Sequence, residues 1–239
     1  MDLIDAPSPN FDARRSPPDM IVLHYTGMQT GQAALDRLCD PEAKVSAHYL
    51  VEEDGRVFRL VPEERRAWHA GVSYWKGERD CNAASIGVEI VNPGHEFGYR
   101  PFPEAQVQAV IDLLDDIRQR WDVPDLRIVG HSDIAPDRKQ DPGEMFPWKR
   151  LAEAGHGLWA EPAIPPGAPL GVGDEGPGVF ALQAGLTRLG YDSAPSGRFD
   201  DHTSTIVTAF QRHWRPDNVS GIADGETRSR LMAILRAAA

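Results

Sequence analysis

The chain has 239 residues, of which 41% are hydrophobic and 26% are charged, and 25 Lys+Arg against 36 Asp+Glu give a net charge of −11. A chain of this length and composition can bury a sizeable core, which excludes disorder over the whole length. Its acidity argues against nucleic-acid binding as the main activity, because a negative surface repels polyphosphate. No segment approaches ~18 consecutive apolar residues, so we expect no membrane span.

Two features of the sequence bear on the cellular compartment. Cys39 and Cys81 allow at most one disulfide, which favours a reducing environment. Residues 1–19 lack a basic region followed by an apolar run, so they do not resemble a secretion signal. Together these observations predict a cytoplasmic location, with the periplasm or cell envelope as the alternative.

The first part of the chain alternates strand and helix patterns. In chain order they predict a strand at 20–25, a helix at 31–40, a hairpin at 48–61, a strand at 85–91, a helix over 107–121 behind Pro103, and a strand at 126–130. Asp54-Gly55 is typical of a two-residue hairpin turn, in which both residues adopt positive φ. The pattern predicts an α/β fold with a mixed central sheet flanked by helices.

A dense cluster of proline and glycine divides the chain. Residues 160–178 contain ten Pro or Gly among nineteen, which is typical of an extended linker. Three helical patterns follow it and predict a second, smaller three-helix domain. We therefore predict a catalytic domain at 1–159, a linker at 160–178 and a helical domain at 179–239.

Three potential metal ligands follow or end predicted strands. His24 closes one strand, His131 closes another, and Asp141 follows ten residues later. Loops that leave parallel strands open onto one edge of a sheet, so these side chains can converge there. Two imidazoles and one carboxylate are typical of a catalytic zinc site, which keeps a fourth position for water. Taken alone, a histidine such as His24 is more often a satisfied strand-end residue than a metal ligand, and it is the combination that favours the metal site.

Two further residues could complete hydrolytic chemistry. Glu89 is a carboxylate in an otherwise apolar strand and could accept a proton from water. Lys139 precedes Asp141 by two residues and could stabilise an oxyanion. The competing interpretations are a solvated strand face for Glu89 and an ordinary surface charge for Lys139.

The remaining histidines are weaker candidates. His69, within AWHAG, competes for a metal position, but pocket lining is the preferred interpretation. His48, on a hairpin strand, is predicted to be either a packed residue or one that supports a site residue from behind. Four others lack a matching partner and are predicted to be solvated: His95, His156, His202 and His213.

Several segments resemble the type 2 N-acetylmuramoyl-L-alanine amidase family, in particular its zinc-dependent, AmpD-like members. They are IVLHYTG (21–27), SAHYLVEEDGRV (46–57), RRAWHAG (65–71), CNAASIGVEI (81–90) and GHSDIAPDRKQDPG (130–143). The resemblance carries the family's zinc ligands onto His24, His131 and Asp141. It carries the catalytic acidic residue onto Glu89 and the catalytic lysine onto Lys139.

The same resemblance implies a reaction and a substrate. It implies zinc-dependent hydrolysis of the amide between the lactyl group of N-acetylmuramic acid and L-alanine, in anhydromuropeptides released during cell-wall recycling. Trp68 and His69 are then candidates to line the substrate cleft. The three helical patterns after residue 179 resemble a peptidoglycan-binding module. The sequence leaves the oligomeric state open.

Other functions on the same fold compete with this interpretation. One alternative is an amidase that acts on intact peptidoglycan in the envelope, and a second is a phage-type endolysin, against which the acidic charge argues. A third is a non-catalytic peptidoglycan receptor. The presence of a complete ligand set with Glu89 and Lys139 argues against that third alternative.

Overall fold

The computed structural model describes residues 1–162 and 167–238. Its strands, numbered in chain order, are β1 (Leu3–Asp5), β2 (Phe11–Ala13), β3 (Met20–Tyr25), β4 (Tyr49–Val51), β5 (Val57–Arg59), β6 (Arg65–Ala67), β7 (Ser85–Ile90) and β8 (Ile128–Gly130). Its α-helices are α1 (Gly31–Cys39), α2 (Cys81–Ala84), α3 (Gly94–Phe97), α4 (Glu104–Arg120), α5 (His131–Ile134), α6 (Trp148–Glu153), α7 (Pro177–Leu189), α8 (Asp201–Trp214) and α9 (Gly225–Ala237).

Six of these strands form one mixed sheet in the order β1-β5-β4-β7-β3-β8. The ladder from β4 through β7 and β3 to β8 is parallel, whereas β5 pairs antiparallel with β4. The apolar runs of β3 and β7 suit their central position, because a strand covered on both faces needs apolar side chains on both. Because β3, β7 and β8 run parallel to one another, their carboxyl ends lie at the same edge of the sheet.

The two faces of the sheet enter different hydrophobic cores. Ile21 and Leu23 of β3 pack in the core that contains the apolar face of α4. Met20 and Val22 belong to a second core, which continues into α7, α8 and α9. Successive side chains of a strand point to opposite faces, so His24 continues the face of Met20 and Val22.

Helix α4 covers the first face of the sheet. It begins at Glu104, directly after Pro103, and ends at Arg120. Its buried side chains recur at helical spacing and include the positions that the sequence pattern predicts: Val107, Val110, Ile111, Leu114 and Ile117. This arrangement confirms the predicted α/β class, with a mixed central sheet flanked by helices.

The three predicted helical patterns near the C-terminus are present as α7, α8 and α9. Asp200 caps α8 by accepting the Thr203 N–H at 2.8 Å, and Asp224 caps α9 by accepting the Thr227 N–H at 2.9 Å. Helix α7 begins at Pro177, whose fixed φ suits the first helical turn. Residues 163–166 of the predicted linker lie outside the described residues, and the domain division remains a prediction.

The hairpin between β4 and β5 has a longer turn than the sequence predicts. Gly55 adopts a φ of 88°, but Asp54 does not share its positive φ. The Asp54 carboxylate instead accepts the Arg56 N–H at 3.1 Å, and the Glu52 N–H donates to the Arg56 carbonyl at 2.9 Å. The prediction of two positive-φ residues is wrong because a longer connection needs only one left-handed residue, the glycine.

Two further observations concern the helices and the two cysteines. Across residues 1–162 and 167–238, no helix has both the length and the apolar character needed to cross a bilayer. Cys39 and Cys81 are both free thiols. Cys81 is fully buried, which leaves it inaccessible to a partner thiol.

Candidate active site

The three predicted metal ligands converge at the edge where the parallel strands end. His24 is the penultimate residue of β3, and His131 opens α5 directly after β8. Asp141 lies in the following loop, which the Ser132 N–H anchors by donating to the Asp141 carbonyl at 2.9 Å. Strand order and this loop contact therefore bring together residues that are more than a hundred positions apart.

One nitrogen or oxygen atom from each residue forms a nearly equilateral triangle. The Nδ1 atoms of His24 and His131 are 2.9 Å apart, and each lies 3.0 Å from Asp141 Oδ2. All three residues are buried. Ligand atoms placed about 2.0–2.1 Å from a tetrahedral zinc ion lie roughly 3.3 Å from one another, so this triangle has the size of a zinc-binding face.

The outer nitrogen of each imidazole is held by a second contact. The Nε2 of His131 is 3.1 Å from the Ala70 carbonyl, to which it donates. The Nε2 of His24 is 3.1 Å from Nδ1 of His69. Both contacts are compatible with a proton on Nε2, which leaves the Nδ1 lone pairs directed into the triangle as metal coordination requires.

Charge and burial set the protonation of the triangle. Burial and the neighbouring His131 lower the pKa of His24 to about 4, so its ring is neutral at physiological pH. Burial by itself would raise the pKa of Asp141, but His131 and His24 outweigh it and hold that pKa well below its usual range. A neutral His24 ring and an ionised Asp141 carboxylate are the protonation states in which these two groups bind a metal.

Glu89 lies on the strand beside His24. The two residues are register partners in the parallel pairing of β3 with β7, so their side chains leave the same face of the sheet. The Oε2 atom is buried and makes no hydrogen bond to any described residue. Burial, reinforced by the charge of Asp141, raises the pKa of Glu89 well above its ordinary value, and Lys139 partly counteracts the shift.

A glycine in β7 makes room for the ring of His69. A Cβ atom at Gly87 would lie 2.5 Å from that ring, a distance that real Cβ contacts do not tolerate. The Gly87 N–H donates to Nδ1 of the fully buried His48 at 2.9 Å. Asn82 then fixes the backbone of the same segment by accepting the N–H groups of His69 and Ala70 at 2.9 and 2.7 Å.

All seven predicted site residues line one cavity of about 410 Å³. His24, His131, Asp141, Glu89, Lys139, Trp68 and His69 share this cavity with Arg37 and Arg138, among others. The Trp68 ring is half-buried and its Nε1 donates to Asp12 at 3.1 Å. The structure thus places every predicted residue in one cleft, while their roles remain predictions.

Some residues around the site differ from the sequence-based predictions. His156 and His213 were predicted to be solvated, but both are buried. His213 lies seven residues after Ile206 and three after Phe210, on the buried face of α8, and this helical spacing was an available signal. Asn82 gives no such signal, because its partners are backbone groups of a distant loop.

Comparison with known proteins agrees with this geometry. The family model described as N-acetylmuramoyl-L-alanine amidase matches residues 14–144, and a peptidoglycan binding domain matches residues 175–231. The amidase AmiD of Escherichia coli is 37% identical over 229 residues, covering 90% of this chain and 82% of AmiD. The 1,6-anhydro-N-acetylmuramyl-L-alanine amidase AmpD of Haemophilus influenzae is 37% identical over 163 residues, covering 60% of this chain and 86% of AmpD.

A solved structure gives the same result for the fold. The complex of Escherichia coli AmiD with the substrate anhydro-N-acetylmuramic acid-L-Ala-D-γ-Glu-L-Lys superposes with a TM-score of 0.80 at 36% identity, covering 93% of this chain and 90% of that one. A match over this share of both chains, together with the two family models, confirms the resemblance that the sequence motifs indicate. The chain therefore belongs to the N-acetylmuramoyl-L-alanine amidase family.

Proposed function

We propose that this amidase depends on zinc, bound by His24, His131 and Asp141, and that it acts on anhydromuropeptides. The observation that carries the proposal is the triangle of two Nδ1 atoms and Asp141 Oδ2, with the unpartnered Oε2 of Glu89 on the adjacent strand. Together they supply a metal-binding face and a proton acceptor on the same side of the sheet. Amide hydrolysis needs both.

The donor set fits zinc better than the hard cations. Two imidazole nitrogens and one carboxylate oxygen suit a borderline ion, whereas magnesium and calcium prefer oxygen ligands. The set leaves a net charge of about +1 on the site and one open coordination position. Zinc held there would act as a Lewis acid that polarises the lactyl carbonyl and lowers the pKa of a water molecule to roughly 7.

Glu89 is the proposed general base and acid. Its buried Oε2 has an unused lone pair, so it can accept the proton of the attacking water. The raised pKa brings the carboxylate closer to neutral pH, where a proton can be both taken up and released. The protonated Glu89 then returns its proton to the leaving nitrogen of L-alanine, which completes cleavage of the amide bond.

Lys139 is the proposed oxyanion-stabilising residue. It lines the cleft beside Glu89, and its positive charge acts on the pKa of both Glu89 and His24. An ammonium group at this position stabilises negative charge that develops on the carbonyl oxygen during attack.

Replacing Lys139 with methionine should therefore lower kcat by about 10²–10³-fold with little change in KM, because the interaction exists mainly in the transition state. Steady-state kinetics with an anhydromuramyl tripeptide would measure both constants. Lys149→Met is the matched control, since Lys149 is an exposed lysine on α6 that pairs with Glu161 outside the cleft. A Lys139→Met enzyme with the kcat of Lys149→Met would contradict the assignment.

His69 and Trp68 complete the proposed site. His69 lines the cleft as the sequence suggests, and its Nδ1 also lies 3.1 Å from the His24 ring. We therefore propose that it orients His24 in addition to forming the cleft wall. Trp68 presents a half-buried ring to the same cavity, which suits contact with a sugar or peptide.

The proposed substrate form and compartment rest on different observations. The AmiD structure contains an anhydromuramyl peptide named as its substrate, and the AmpD relative is named for the same anhydro sugar. Two free cysteines favour a cytoplasmic location. The match to a peptidoglycan binding domain favours the alternative, an amidase that acts on intact peptidoglycan in the envelope.

Mass spectrometry of reaction products separates these alternatives. The full-length enzyme would be incubated in parallel with anhydromuramyl tripeptide and with intact sacculi, at equal concentrations of lactyl-amide bonds. We expect free tripeptide to appear at least about ten times faster from the soluble substrate. Glu89→Ala controls for contaminating amidases. Equal or faster release from sacculi would contradict the proposed substrate form and support the envelope alternative.

A further inference from the structure

A buried carboxylate lies two residues after the proposed zinc ligand His131. Asp133 belongs to the short helix α5 and is 1% exposed. Its Oδ1 accepts the hydroxyl of Tyr191 at 2.6 Å, and its Oδ2 accepts Nδ1–H of His213 at 2.7 Å and the Gly130 N–H at 2.8 Å. Two of these three donors come from the C-terminal helical unit, residues 177–237.

His213 is held in place from both sides. Its ring stacks on Trp148 of α6 at a centroid distance of 3.6 Å and on Trp214 of α8 at the same distance. The residue is 2% exposed. The imidazole therefore cannot turn away from Asp133 without breaking an aromatic stack that joins the two parts of the chain.

Tyr191 is docked equally closely. Its ring meets Trp75 edge-on with centroids 5.1 Å apart, and the Lys76 N–H donates to the Gly190 carbonyl at 2.9 Å. A Cβ atom at Gly190 would lie 2.6 Å from the Trp75 ring, so the backbone itself touches the indole. The contacts with Trp75 and Lys76 thus hold the tyrosine hydroxyl in place against Asp133.

Helix α5 depends on such external support. It has four residues, too few for a helix to be stable through its own hydrogen bonds. The bonds to Asp133 fix the chain on either side of His131, because the Gly130 N–H comes from the residue before it and Asp133 lies two residues after it. Catalytic groups must be held within about 0.5 Å of their working positions, and the groups behind them provide that precision.

We infer that Tyr191 and His213 of the C-terminal helical unit are positioning residues of the amidase site. By holding Asp133 they fix α5, and α5 fixes the Nδ1 of His131 in the metal-binding triangle. This inference rests on the proposed zinc-dependent function. It gives the helical unit a role in the site in addition to any contact with peptidoglycan.

The test uses single variants of the full-length protein. Tyr191→Phe removes one hydroxyl, His213→Ala removes the imidazole, and His213→Asn keeps a side-chain N–H donor near the position of Nδ1. Zinc affinity would be measured by chelator competition, and ligand geometry by the visible absorption spectrum of the cobalt-substituted enzyme. We expect zinc affinity to fall about 10–100-fold in Tyr191→Phe and His213→Ala, with a shifted cobalt spectrum, and to recover in His213→Asn.

Gln183→Ala is the matched control. Gln183 is buried inside the same helical unit and donates to Ser196, the Arg198 carbonyl and Thr203, without contacting Asp133. This variant should lower the melting temperature and leave zinc affinity and the cobalt spectrum unchanged. A general loss of stability in the unit is thereby separated from the loss of the Asp133 contacts.

The outcomes distinguish this inference from the function on which it rests. Suppose that the wild type binds zinc, and that the Tyr191→Phe and His213→Ala variants fold and match its zinc affinity and cobalt spectrum. The inference is then overturned, while the proposed function stands. It is also overturned if Gln183→Ala weakens zinc binding as much as they do. A wild-type protein that binds no zinc would contradict the proposed function and this inference together.

Discussion

Replacing Glu89 with glutamine is expected to lower amide hydrolysis by about 10²–10⁴-fold and to raise the thermal stability of the metal-free protein at neutral pH. The activity falls because glutamine cannot accept the proton of the attacking water. The stability rises because the variant no longer buries a carboxylate whose Oε2 lacks a partner among the described residues. One substitution therefore moves activity and stability in opposite directions.

The pH dependence of this stability difference follows from the raised pKa of Glu89. Unfolded Glu89 titrates near 4.5, and the folded protein holds the proton to a higher pH. Between these two values the folded state binds more protons than the unfolded state, so wild-type stability falls as pH rises. Melting temperatures of metal-free Glu89→Gln and wild type should therefore diverge as pH increases from about 4 through this interval.

Glu63→Gln supplies the opposite control. Glu63 is also a buried carboxylate, but burial is outweighed there by hydrogen bonds from Arg120, Trp121 and Tyr49, which lower its pKa. Removing that charge should destabilise the protein at neutral pH, and the loss should shrink as pH falls towards the folded pKa. A Glu89→Gln variant that loses stability as Glu63→Gln does, or keeps wild-type activity, would show that Glu89 is a structural residue.

The convergence of the site could be predicted because it depends on strand order and alternation. His24 and His131 mark the ends of apolar runs, and Glu89 interrupts a third run. Such runs predict buried strands, and the carboxyl ends of parallel strands lie at one edge of a sheet. The pairing of His24 with Glu89 then needs only the register that β3 and β7 adopt.

The supports behind the site could not be predicted in the same way. The contact of Asp133 with Tyr191 and His213 spans 58 and 80 positions and depends on how the C-terminal helices dock. Neither periodicity nor motif spacing encodes such docking. The proline- and glycine-rich composition after residue 160 predicts a linker between two domains. The core that contains Met20 and Val22 continues beyond this segment into the last three helices, and no sequence pattern indicates that it does.

Replacing Asp141 with asparagine should remove zinc and activity together. The neutral amide keeps the size of the side chain but lacks the negative charge with which the carboxylate would bind the metal as its third protein ligand. We expect zinc affinity to fall by more than about 100-fold, beyond the loss caused by changes behind the ligands. Zinc analysis after dialysis and chelator competition would measure the loss, and the rate of amide hydrolysis would follow it.

Thermal stability provides a readout of metal binding that does not depend on catalysis. A ligand present at 100 times its Kd stabilises the folded state by about 2.7 kcal/mol, so zinc should raise the melting temperature of metal-free wild type and leave Asp141→Asn unchanged. Magnesium should not replace zinc, because the triangle offers two nitrogen ligands. Asp137→Asn is the control, since Asp137 is an exposed carboxylate in the same loop. If Asp141→Asn retains zinc as Asp137→Asn does, the triangle is a hydrogen-bonded cluster and the proposed zinc site is wrong.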